Sequence, residues 1–333
     1  MPVPDRILEL TDRFGYNLDS YKKGIYNETQ VRLEYINPLM EELGWDVRNK
    51  SGYSEAYKDV IHEDAVKVGG VTKAPDYCFR IGGTRKFFLE AKKPSVNIKE
   101  DIHPAYQLRR YAWSAKLPLS ILTDFEEFAV YDCRVKPVKT DKASTARVMY
   151  LNFTDYINKW DEIAGIFSRE AILKGSFDKY VESKKKKKGT AEVDTAFLEE
   201  IERWRELLAR NIALRNEGLS QREVNFSVQR TIDRIIFLRI CEDRGIENYG
   251  RLMALQNGER VYKRLFQLFR EADARYNSGL FYFRPEKGRS TDLDDLTPDL
   301  SLDDKVLKDI LKNLYYPDSP YEFSVLPANI LGQ

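Results

Sequence analysis

Asp76, Glu90 and Lys92 are the residues of this chain whose types and spacing can do chemistry. Pro75 and Asp76 open one strand-like run, and Phe88-Leu89-Glu90-Ala91-Lys92 closes the next. Side chains alternate along a strand, so Glu90 and Lys92 share a face while Ala91 points away. A hairpin between the runs brings Asp76 alongside them. Two converging carboxylates make a hard-oxygen site suited to Mg²⁺, which keeps several waters and takes one or two protein carboxylates. A lysine beside them can orient a metal-bound water or help deprotonate it. The metal then stabilises charge during in-line attack on a phosphodiester. Gln107 and Tyr111, four apart on one helix face, can orient the lysine, the water or a DNA phosphate. Glu28 can supply a third carboxylate. Taken singly, each has an ordinary reading: an exposed strand pair for Glu90 and Lys92, a turn residue for Asp76, a plain helix face for Gln107 and Tyr111, and a helix N-terminal charge for Glu28. Their order along the chain makes the set specific.

The elements that must position these residues follow from periodicity and punctuation. Asn27 caps a helix over 28–43, with Gln30 completing a capping box. Ile36, Leu39, Met40 and Leu43 form its apolar stripe, Pro38 kinks or splits it, and Gly44 stops it. Strands are expected at 59–68, 76–81 and 86–92, the last two joined by a Gly82-Gly83-Thr84 hairpin. A helix over 99–116 carries Gln107 and Tyr111. Strands over 118–123, 127–132 and 147–151 follow, then a helical stretch. Beyond residue 190 the pattern becomes helical, with helices at 192–216, 220–244, 259–274 and 303–314 and a loop over 276–302. Ser220 caps the second of these helices. Its Ile232, Ile235, Ile236 and Ile240 point one way, while Arg230, Asp233, Arg234, Glu242 and Asp243 provide neighbouring opposite charges.

Composition bounds the rest. The 333 residues carry 54 Lys+Arg against 53 Asp+Glu, a net charge of +1, so no whole-molecule field draws nucleic acid in, and a DNA surface must come from local placement. The cysteines Cys78, Cys133 and Cys241 form no CxxC pair, which argues for a reducing cytosol over a disulfide framework or a zinc site. His62 and His103 have no partner pattern and read as structural or surface residues. Cys78 reads as a small core residue, and Tyr53, Tyr57 and Lys58 as a loop or a backbone contact. No apolar run is long enough for a membrane span, and the first residues lack a signal-peptide layout. The expected location is cytoplasmic. Between 190 and 284 there are fifteen Arg and one Lys, whereas the basic residues before that are mostly lysine and end in the run Lys184–Lys188. The expected domains are therefore 1–183, a lysine-rich linker at 184–191, and a helical domain over 192–333.

Residues 28–132 resemble the N-terminal nuclease domain of HsdR-N-type restriction enzymes, within the PD-(D/E)xK superfamily. The segments NETQVRLEYINPLMEELGWDV, KAPDYCF, FFLEAKKP, AYQLRRYAWS and LPLSILTDFEEFAVYD carry the likeness. The resemblance implies that Asp76, Glu90 and Glu28 bind Mg²⁺, with Mn²⁺ as a substitute, that Lys92 is catalytic, and that Gln107 and Tyr111 are a Q-x-x-x-Y element. It also implies the fold class: an α/β mixed sheet flanked by helices, followed by an all-α domain. The segments LEEIERWRELLARNIALRN, TIDRIIFLRICEDRGIE and YEFSVLPANILGQ resemble the helical connector of type IIG (MmeI-like) restriction-modification enzymes. In those enzymes the connector leads into an N6-adenine methyltransferase and a target-recognition domain.

Neither an Asn-Pro-Pro-Tyr methyltransferase motif nor a G-x-x-x-x-G-K-[ST] phosphate loop is present, and Asn37-Pro38-Leu39-Met40 is not the former. The chain is expected to be the nuclease-plus-connector portion of a larger enzyme, as a truncated piece or a shortened gene product. Its expected partners are double-stranded DNA, methyltransferase and specificity domains, no membrane, and a second copy in a transient dimer on DNA. S-adenosylmethionine is expected only where the methyltransferase is present. The competing readings are a non-catalytic DNA-binding scaffold with a nuclease-like fold, and a nuclease subunit of another defence or repair system.

Overall fold

The computed structural model describes residues 2–62, 67–68, 71–72, 75–183, 191–276, 278–284 and 293–326. Their contacts divide the chain into two units, Met1–Ala65 with Ala74–Val193 and Pro327–Leu331, and Val66–Lys73 with Asp194–Leu326 and Gly332–Gln333. The lysine run and most of the linker expected at 184–191 lie outside the described residues.

The first unit opens with α1 (Asp5–Tyr21). Ile7, Leu10, Thr11 and Phe14 are its buried residues, at the three- and four-residue spacing of one helix face. This helix was not anticipated from the sequence, although its period was there to be read. The helix expected over 28–43 is present in three pieces: α2 (Glu28–Val31), a π turn (Arg32–Ile36) and α3 (Asn37–Glu42). Asn27 and Gln30 make the capping box as expected. Pro38, which has no N–H to give, sits at the start of α3, and the wider π turn ahead of it absorbs the change in bonding pattern.

The sheet has six strands: β1 (Val60–His62), β4 (Tyr77–Ile81), β5 (Thr84–Ala91), β6 (Leu119–Thr123), β7 (Glu127–Asp132) and β8 (Arg147–Asn152), in the order β1-β4-β5-β6-β7-β8. Only β5 and β6 are parallel. The expected single strand over 59–68 is corrected. The strand β1 covers only Val60–His62, and β2 (Lys67–Val68) pairs with β3 (Val71–Thr72) as a separate ladder. The Gly69-Gly70 spacer between those two short strands is a hairpin signal that an alternation-only reading passes over.

Between β5 and β6 runs α4 (Ile102–Ser114), the long crossover that two parallel strands need. After β8 come α5 (Tyr156–Phe167), α6 (Arg169–Leu173) and α7 (Ser176–Ser183). The sheet is covered on both faces. Phe87, Leu89 and Ala91 pack on one side with Phe14, Tyr35, Leu39 and Trp160, while Phe88 and Cys78 pack on the other with Leu108, Tyr111 and Leu122 of α4 and β6. Double burial explains why Phe87, Phe88 and Leu89 follow one another in β5 without polar alternation.

Apart from the β2–β3 ladder, the second unit is helical: α8 (Val193–Arg215), α9 (Gln221–Asp243), α10 (Arg251–Ala254), α11 (Val261–Tyr276) and α12 (Asp304–Lys312). Ser220 and Glu223 form a capping box ahead of α9. The stripe expected on α9 is shifted: Ile232, Ile235, Leu238 and Cys241 are buried, whereas Ile236 and Ile240 are only partly so. Three of the opposite charges read on this helix, Arg234, Glu242 and Asp243, are buried too. Arg234 donates to Asp294 at 2.5 Å, and Arg239, also buried, donates to Asp243 at 2.6 Å and to the Leu314 carbonyl at 2.9 Å. These buried charges are tolerated because each is paired and hydrogen-bonded.

Candidate active site

Residue alternation assembles the site. Along β5, Phe88 faces α4, so Glu90 and Lys92 face that side as well. Tyr77 stands opposite Leu89 in the β4–β5 ladder, which sets Asp76 beside Glu90 as the two strands end. Lys92 lies one residue past β5 and is fixed by its own N–H, which donates to the Thr123 carbonyl at 3.0 Å.

Glu90 is the centre of the arrangement. Only 3% of it is exposed. Its Oε1 accepts from Lys92 Nζ at 2.6 Å and from Gln107 Nε2 at 3.3 Å, while its Oε2 is buried with no hydrogen-bond partner. Lys92 Nζ also stands 3.7 Å from Glu28 Oε2, so the ammonium bridges two carboxylates. Asp76 Oδ2 accepts from the Ala91 N–H at 2.7 Å, and its Oδ1 accepts from Arg32 Nη1 at 3.2 Å. Arg32 Nε reaches Tyr77 OH at 3.3 Å, and that hydroxyl donates to Asn37 Oδ1 at 2.7 Å.

Burial, reinforced by the Asp76 charge and opposed by Lys92, pushes the Glu90 carboxyl up to about 7. Glu28 is also raised, by burial against the pull of Lys92. Burial alone would lower the Lys92 amine, but Glu90 and Glu28 outweigh it and raise the value. Lys92 is therefore held as an ammonium, suited to orienting a nucleophile and to stabilising charge. In this arrangement it does not serve as the proton acceptor that its position also allows.

Four expected residues, Glu28, Glu90, Lys92 and Gln107, are thus linked directly to one another, and Asp76 sits against the same strand end. Tyr111 lies one turn beyond Gln107, 4% exposed, within the apolar cluster of Cys78, Phe88 and Leu108. There it buttresses the helix face that presents Gln107. Among the described residues, no three His, Cys, Asp or Glu side chains form a ready metal-binding group, because Lys92 stands between Glu28 and Glu90. Cys78 is buried in the core. His62 contacts the Val47 carbonyl at 2.8 Å, and Tyr53 and Tyr57 are exposed. Lys58 pairs with Glu55 at 2.6 Å. Sequence reasoning missed Arg32. The available signal was its position one helical turn after Glu28, on the same face.

This geometry belongs to a chain with clear relatives. Residues 25–139 match the family described as type I restriction enzyme R protein N terminus. Over 334 aligned residues the chain is 38% identical to "Type II restriction enzyme and methyltransferase RM.Eco57I" of Escherichia coli, covering 100% of this chain and 32% of that protein. The chain thus spans about a third of the length of the curated relative it matches. Among solved structures it is similar to the type IIG restriction endonuclease BpuSI, with a TM-score of 0.26 and 14% identity, over 91% of this chain and 31% of that one. The matched span encloses all six expected site residues, from Glu28 to Tyr111. No described helix is long and apolar enough to cross a membrane.

Proposed function

We propose that the first unit is a Mg²⁺-dependent DNA endonuclease module of a restriction-modification enzyme, hydrolysing phosphodiester bonds at the Asp76–Glu90–Lys92 site. The observation that carries this reading is Glu90 Oε2. It is a carboxylate oxygen turned into a buried site with no hydrogen-bond partner, while its twin is already held by Lys92 and Gln107. A buried carboxylate oxygen without a donor is costly, and a divalent cation is the ligand that satisfies it. Asp76 Oδ1 and Glu90 Oε2 would hold the ion, in keeping with the few carboxylates that Mg²⁺ takes. Once bound, Mg²⁺ or Mn²⁺ supplies Lewis-acid stabilisation of charge on a phosphodiester.

The protein's own groups do the rest. Lys92 holds its ammonium beside the reacting centre. Gln107 fixes Glu90, the Ala91 N–H fixes Asp76, and Glu28 restrains Lys92 from the opposite side. The oriented side chains and the developing charge they meet are a preorganised electrostatic site.

Site selection and adenine methylation, with S-adenosylmethionine as methyl donor, belong in this proposal to methyltransferase and recognition domains beyond the residues described. They agree with the name of the Eco57I relative. Plasmid nicking tests the proposal. With Mg²⁺ or Mn²⁺ the purified chain converts supercoiled plasmid to nicked circle, EDTA stops it, and Lys92→Ala abolishes it with the circular dichroism spectrum unchanged. Nicking by Lys92→Ala at the parent's rate would place the chemistry elsewhere.

A further inference from the structure

Both carboxylate oxygens of Asp76 are engaged: Oδ2 accepts from the Ala91 N–H and Oδ1 from Arg32. The first bond is built into the strand end, but the second comes from a side chain that can move. Arg32 is the first residue of the π turn, and 16% of its side chain is exposed. It also lies against the Tyr77 ring, 4.9 Å from the centroid. Beyond Asp76 it lines an open cleft of about 560 Å³ with Thr29, Asn37, Arg48 and His62. Among the described residues the lining of this cleft holds two guanidiniums, the hydroxyls of Thr29 and Tyr77, an imidazole and an amide but no carboxylate, and the Arg48 guanidinium is also paired with Glu41 at 3.1 Å. The cleft is chemically matched to a phosphodiester backbone and poorly matched to a cation.

We infer that Arg32 is a gate on metal loading: its guanidinium occupies Asp76 in the free protein and turns to a DNA phosphate in the cleft when substrate arrives, releasing Oδ1 to the metal. This deepens the nuclease reading above and rests on it. Two positive groups on one carboxylate oxygen repel each other, so the metal and the Arg32–Asp76 pair oppose each other. By linkage, whatever draws Arg32 away tightens metal binding to the same extent that metal tightens it. DNA and metal therefore load together, and the metal site stays weak while no phosphate is near.

Mn²⁺ binding by the purified chain, followed by electron paramagnetic resonance, tests this without reference to cleavage. Arg32→Gln binds Mn²⁺ roughly tenfold more tightly than the parent, the weight of one charge-assisted hydrogen bond. Arg32→Lys, which keeps the cation, stays close to the parent. A phosphorothioate duplex, added to slow cleavage, tightens Mn²⁺ binding in the parent but not in Arg32→Gln. Equal Mn²⁺ affinity in the parent and Arg32→Gln, or equal tightening of both by the duplex, overturns the gate while leaving the site intact. Asp76→Asn and Glu90→Gln controls separate the two failures. If neither weakens Mn²⁺ binding, the metal is held elsewhere, and both the gate and the nuclease site are wrong.

Discussion

At the residue scale the site depends on burying a carboxylate that would rather be in water. Glu90 titrates near 7 because burial penalises its charge and Asp76 adds to that penalty. A carboxyl whose value is raised in the fold binds more protons folded than unfolded between its ordinary value and the raised one. Stability is therefore full below about 4.5 and declines as pH climbs through about 7. Glu90→Gln, measured in EDTA, removes this dependence. Its thermal midpoint should sit above the parent's at pH 8, with the gap closing toward pH 4.5, and the variant should not nick DNA. A gap that does not change with pH would mean that Lys92 neutralises Glu90 fully and that the burial penalty is not expressed. Identity and spacing made Asp76, Glu90, Lys92, Gln107 and Glu28 legible, because strand alternation and a hairpin are short-range rules. Arg32 was not legible in the same way. Its partner Asp76 is 44 residues away, and its one local mark, a place one turn after Glu28 on the same face, does not show that it folds back onto a strand end.

At the element scale, legibility tracked the range of the interactions that decide each element. The Asn27–Gln30 capping box and the Ser220 cap involve residues three apart, and both appear as read, the latter completed into a box by Glu223. The position of the break near Pro38 was readable, but its form as a π turn was not, because it is set by tertiary packing of Tyr35 and Ile36 in the core. The burial of the charged residues of α9 was unreadable for the same reason. A helix with alternating Arg and acidic residues reads as solvated, yet Arg239 and Asp243 form a buried pair closed by residues 75 and 80 positions away. Removing one partner of such a pair leaves the other charge buried. Arg239→Ala should therefore cost about 3–5 kcal/mol in urea unfolding, far more than an exposed pair. Arg239→Met, which fills the space but leaves the Asp243 charge, should recover little of it, whereas Arg239→Met with Asp243→Leu should recover most. A loss below about 1 kcal/mol for Arg239→Ala would show that this network is not tightly closed.

For the whole molecule, near-neutrality and a single centre set how the proposed nuclease would cut DNA. With a net charge of +1, long-range attraction contributes little, and the affinity for duplex must come from local groups such as those of the Arg32 cleft. The described residues present one Asp76–Glu90–Lys92 set, and the two strands of a duplex run in opposite directions. A centre aligned for in-line attack on one strand meets the other with its polarity reversed. One copy must therefore release and rebind, or a second copy must bring its own centre to the opposite strand. The proposed module should thus accumulate nicked circle before linear plasmid at low protein concentration. Raising the concentration should speed linearisation more steeply than nicking, approaching a squared dependence if two copies act together. Linear product appearing at the lowest concentrations with no nicked intermediate would mean that one chain commands both strands, and the reading of one centre per strand would fail.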